Sequence, residues 1–84
     1  MLIRRTKNFQ KNIEKLPLEI REIFKNQERI LEKNWLDSRL HIKRVKILPG
    51  AYSLRITRRY RALFYFRAED IILFAIGHRK EIYK

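Results

Sequence analysis

Seven cationic side chains, Lys43, Arg44, Lys46, Arg55, Arg58, Arg59 and Arg61, fall between residues 43 and 61 with no carboxylate among them. Arginine stays charged at any working pH and grips two oxygens of a phosphate at once. Such a run suits an anionic ligand. Histidine changes charge near neutral pH and can move protons; the chain has two, His41 and His78. His78 belongs to a compact polar tail, Gly77-His78-Arg79-Lys80-Glu81-Ile82-Tyr83. His41 has no partner nearby in sequence and reads as structural. Other chemistries find no residues to run them. Cysteine is absent, which excludes a disulfide scaffold, a thiolate metal site and a cysteine nucleophile. Isolated histidines and scattered carboxylates lack metal-ligand spacing, so no metal and no cofactor is expected. Gly50 and Gly77 are the only glycines, too few for a phosphate-cradling glycine loop.

The charge is large for the size. The 84 residues carry 21 basic and 9 acidic side chains, a net charge of +12. Self-repulsion of that order costs stability, and an anionic partner offsets it. Residues 1–42 carry 10 basic and 6 acidic groups, and residues 43–84 carry 11 and 3, so the second half is the anion-facing one. The length allows one hydrophobic core, a single domain over residues 1–84. The longest apolar run, Ile71 to Ile76, is too short to span a bilayer. The N-terminus lacks the apolar stretch of a secretory signal. A cytoplasmic location is the expectation, with no membrane partner.

Elements must position these groups. Leu2-Ile3 begins a short strand. Thr6 is suited to cap a helix from about Lys7, whose Phe9, Ile13 and Leu16 share a face. Pro17 interrupts and opens a second helix, which runs to about Lys33 with Glu19 in its first turn. Its apolar stripe is Ile20, Ile23, Phe24, Ile30 and Leu31, with Gln27 as a polar gap. The two helices read as an antiparallel hairpin. Residues 34–39 form a loop from which Trp35 and Leu36 are expected to tuck onto the core. The period then changes from 3.6 to 2, with strands over 41–47, 51–57, 60–67 and 70–77. The last is apolar on both faces, as for an interior strand. Tyr65 and Phe66 alternate, so at most one faces the open side. The fold class is α+β: an N-terminal strand, then a helical hairpin packed on one face of an antiparallel four-strand meander.

Three runs together, Tyr52-x-Leu54-Arg55-Ile56, Tyr60-Arg61-x-Leu63-x-Tyr65 and Gly77-His78-Arg79-Lys80-Glu81-Ile82-Tyr83, resemble the RelE/ParE family of toxins from type II toxin–antitoxin modules. The resemblance implies the same layout over nearly the whole chain. It also implies one of two activities. RelE-like members cut messenger RNA, typically in the ribosomal A site; ParE-like members poison DNA gyrase. In the RelE branch, cations on the middle strands and a C-terminal Arg and Tyr surround the scissile phosphate. Carried over, these are Arg55, Arg61, Arg79 and Tyr83. ParE-like members generally lack the full set, so the resemblance implies a metal-independent endoribonuclease. The alternatives are a gyrase poison that acts by binding and an inactive relative. An acidic antitoxin is implied as partner, with mRNA and the ribosome.

RNA cleavage without a metal uses the 2′-OH as nucleophile, an acid and a base, and cations that hold the extra phosphorane charge. Arg55, Arg61 and Arg79 are the expected clamps. His78 stands where the best-known RelE members have Lys, so His78, Glu81 and Tyr83 all stay open as proton carriers. Tyr83 can also stack on a base. Lys43, Lys46, Arg58 and Arg59 are expected as general phosphate contacts, which position without specifying sequence. One geometric condition tests the pair Arg55 and Arg61. Side chains alternate faces along a strand. A two-residue turn after Thr57 puts these arginines on opposite faces; an odd loop puts them on the same one. Neither Arg58 nor Arg59 favours the positive φ of a tight primed turn. An odd loop or a bulge is therefore expected, with both arginines on the face away from the helices.

Overall fold

A computed structural model describes residues 2–83. Its sheet has five strands in the order β1 (Ile3–Arg5), β5 (Asp70–His78), β4 (Tyr60–Arg67), β3 (Ala51–Arg55), β2 (Lys43–Arg44). The last four strands of the chain form an antiparallel meander, as their short connections require. β1 adds in parallel to the outer side of β5, pairing Ile3 with Ile71. This makes β5 an interior strand, as its two-sided apolar sequence implied.

Helices α1 (Lys7–Ile13) and α2 (Leu18–Lys33) lie on one face. The Thr6 hydroxyl caps α1 by accepting from the Phe9 N–H at 3.1 Å. Pro17 sits just before α2, where its fixed φ leads into the helix and its missing N–H costs nothing. Phe9 and Phe24 meet at 5.4 Å between ring centres. With Ile13, Leu31, Leu54, Phe64 and Leu73 they form the main core. Trp35 packs edge-on against Tyr52 and Phe66, as expected.

Several local expectations change, among them the strand expected over 51–57, which ends at Arg55. Leu36 does not tuck in; it is 68% exposed, on a short turn before the 3-10 segment Ser38–Leu40 that buries Leu40 in its place. Ile23 drifts to the rim of the α2 stripe and is 41% exposed. The strand expected over 41–47 shrinks to Lys43–Arg44, because a turn closed by Leu48 N–H to the Val45 carbonyl starts early. A short helix absent from the sequence reading, α3 (Arg79–Ile82), follows β5. Among the described residues no helix is long and apolar enough to cross a membrane.

Candidate functional site

The face away from α1 and α2 carries a second, smaller core. Val45, Ala51 and Leu63 are buried there, with Phe74, Ala75 and Ile82 packed against them. Beside it opens a hollow of about 490 Å³ lined by Lys43, Arg44, Lys46, Ser53, Arg61 and Tyr83, with Val45 and Ile47 as its apolar wall. Every charged group in that lining is a cation.

Arg61 sits at its base. It is only 9% exposed. Its guanidinium donates to the Ser53 hydroxyl at 3.4 Å, and no carboxylate pairs with it among the described residues. A buried charge normally has an opposite charge at hand. A bound anion would supply one here, and two N–H groups can then close on a phosphate. The two lysines stand at the exposed mouth.

The local sequence explains this placement. Arg55 lies directly opposite Arg61 in the β3–β4 register, with the five residues 56–60 between them. The loop is odd, as expected, and directly opposed side chains leave the same face, Cβ atoms about 5 Å apart. Leu54 and Ala62, their neighbours in sequence, point into the main core instead. The loop holds this shape because the Thr57 hydroxyl accepts from the N–H groups of Arg59 and Tyr60, each at 3.2 Å. Arg55 is half-buried, and its Nε is buried without a hydrogen-bond partner.

Other expected site residues stand apart from this hollow. His78 pairs with Tyr60 in the β4–β5 register, one residue out of phase with Arg61, so it faces the helix side. It lines a separate cleft of about 490 Å³ with Lys15, Tyr60 and Glu81. Its ring meets Tyr60 edge-on at 5.6 Å, and its Nδ1 accepts from the Lys80 N–H at 3.2 Å, capping α3. Arg79 is exposed at the start of α3, where its N–H donates to the Arg59 carbonyl at 2.7 Å. Arg58 and Arg59 are exposed on the loop between β3 and β4. The sheet thus gathers Arg61, Tyr83, Lys43 and Lys46, sets Arg55 beside them, and leaves His78 across the layer.

Two lining residues escaped the sequence reading as site groups, Arg44 and Ser53. The signal for Ser53 was there: it alternates with Arg55 along β3, so it shares the open face.

No protein-family model matches the sequence. No curated protein matches it either. Among solved structures the chain is similar to RelE in the RelB–RelE antitoxin–toxin complex from Methanococcus jannaschii, with 30% identity, TM-score 0.76, and 99% of this chain and 95% of that one covered. It is also similar to the archaeal RelE–RelB complex from Pyrococcus horikoshii, at 16% identity and TM-score 0.75 over 95% of this chain and 96% of the other. YafQ from Escherichia coli matches at 10% identity and TM-score 0.80, over 98% and 97%. The last two likenesses show a shared fold.

Proposed function

From the premise that this chain belongs to the RelE/ParE family of toxins from type II toxin–antitoxin modules, we propose that it is an endoribonuclease that cuts messenger RNA at the Arg61 hollow. The observation that carries this reading is the buried Arg61 guanidinium, held by one long hydroxyl contact in an all-cationic lining.

The 2′-oxygen of the RNA attacks the adjacent phosphorus, and the bond from phosphorus to the 5′-oxygen breaks. The products are a 2′,3′-cyclic phosphate and a free 5′-hydroxyl. Arg61 holds the non-bridging oxygens as their charge grows, with Lys43 and Lys46 closing from the rim. Arg55, beside Arg61, adds field to the same spot. Tyr83 is the phenol in the hollow and donates a proton to the leaving 5′-oxygen. The 2′-hydroxyl proton leaves to solvent at the open mouth. His78 acts through structure, as the cap that starts α3 and so sets where Tyr83 stands. Arg58, Arg59 and Arg79 serve as outer contacts to the RNA or ribosome backbone.

The similar RelE chains are held in complexes with RelB. The same arrangement is proposed here: an acidic antitoxin covers the cationic face and neutralises it. The protein works in the cytoplasm, where mRNA and ribosomes are.

In vitro translation with purified protein, followed by mapping of mRNA 3′ ends, tests the activity. Discrete cuts with cyclic phosphate termini are expected, and Arg61→Ala removes them while circular dichroism stays unchanged. Persistent cutting by that variant rejects the assignment. Inhibited supercoiling by gyrase with intact mRNA selects the binding-poison activity instead.

A further inference from the structure

We propose that a second hollow on the open face, built on Tyr65 and Phe74, seats a base of the RNA strand whose phosphate Arg61 holds. This rests on the ribonuclease reading above and adds to it a stacking site.

The β4–β5 register slips between Leu63 and Phe64. Leu63 pairs with Ala75 and Phe64 with Leu73, which leaves Phe74 as an extra residue. A bulge of this kind re-aims a side chain. Here Phe74 and Ala75 both reach the open face, where both pack against Val45, Ala51 and Leu63. Phe74 comes to rest beside Tyr65, ring centres 5.5 Å apart and planes tilted by 51°. Both rings are only half-buried. Opposite Tyr65 stands Ala51, too small to cover the ring. The β2–β3 turn supplies the far wall through Leu48 and Pro49, with Gly50 at φ +89° where a side chain would be strained. The result is a cavity of about 400 Å³ without a charged side chain in its lining.

Its neighbour along the sheet is the all-cationic hollow, and the turn between β2 and β3 walls both. Arg61 and Tyr65 are four residues apart on β4, about 13 Å along the strand. Cations for phosphates beside aromatic faces for bases are the two parts of a single-strand binding surface. The adjoining positive charge favours RNA over an apolar protein segment as occupant. Recognition here is by stacking, so larger purine faces are preferred.

The test uses the full chain and two strands of equal length and charge, a short 2′-O-methyl oligoadenylate that cannot be cleaved and its fully abasic counterpart. Binding is read by fluorescence anisotropy. Tyr65→Ala and Tyr65→Leu are expected to weaken binding of the base-bearing strand about 5- to 100-fold. They leave the abasic strand unaffected, and Tyr65→Phe restores wild-type affinity. Tyr65→Leu keeps the bulk that folding needs, and circular dichroism checks it. Equal losses on both strands overturn the proposal, as do no loss on either or no binding by the wild-type protein. Cleavage of ribosome-bound mRNA is measured separately. Cutting that survives any of these failures leaves the ribonuclease reading standing and removes only the base site.

Discussion

Two arginines on the same sheet meet opposite fates. Arg5, on β1, donates to both oxygens of Glu28 on α2 at 2.8 and 3.0 Å. Its guanidinium also lies over the rings of Phe9 and Phe24, 5.6 and 5.4 Å from their centres. Arg61, on β4, is more deeply buried and finds one hydroxyl at 3.4 Å. The helix face spends its arginine on holding the fold together. Among the described residues the open face leaves the buried Arg61 without a carboxylate, at a cost in stability that an RNA phosphate would offset in the proposed function. On a chain with a net +12, the difference separates a charge that the fold has paired from one left to the proposed ligand.

That contrast is open to direct attack. The largest expected effect is on cleavage. Arg61→Ala lowers the cutting rate about 100- to 1,000-fold, by loss of a preorganised donor at the phosphorane. Next comes a variant that gives the open face what the helix face has. Ser53→Asp places a carboxylate against Arg61, and cleavage falls about 10- to 100-fold as that anion competes with the phosphate. Unchanged rates from either variant would mean that Arg61 is as structural as Arg5. The reverse experiment is Arg5→Ala. It costs about 2 kcal/mol from a charged hydrogen-bonded pair and two cation–π contacts. Melting shifts down by about 10 °C, while kcat of the folded fraction is kept. Arg61→Met removes the uncompensated charge and keeps the volume. Its melting temperature holds or rises by a few degrees, which calorimetry reads.

The smallest expected effect concerns an exposed pair. Asp37 accepts from the Arg39 side chain at 2.9 and 3.0 Å and from its N–H at 2.9 Å. The Arg39 side chain holds this carboxyl down from 3.8 to about 2. A lowered carboxyl contributes stability above its unfolded value and loses it as pH falls through the folded one. Asp37→Asn is therefore expected to leave melting unchanged below about pH 2 and to lower it slightly from about pH 4 upward, seen in a melting-temperature series against pH.

Much of this was legible along the chain. Thr6 and Pro17 marked the helix starts because their effects act within a turn. β3 and β4 announced themselves by alternation and β5 by its two-sided apolar run, and the parity of the loop after Arg55 already put Arg55 with Arg61. Leu36 and Ile23 misled, since hydrophobicity says that a residue prefers burial and not whether a partner surface reaches it. Periodicity also gave no warning of the bulge at Phe74, because one extra residue looks like continued strand.

By itself the sequence determined the order of the main helices and strands, how they connect, and a strongly cationic second half. These follow from short-range sterics, periodicity and net charge. Only the tertiary structure decided that His78 lies across the sheet from Arg61, that Ser53 bonds Arg61 while Tyr83 shares its hollow, and that Arg5 has a carboxylate while Arg61, among the described residues, has none. Those outcomes depend on strand register and on which face α2 covers. Both are set by long-range packing, where a shift of one residue sends a side chain to the other side.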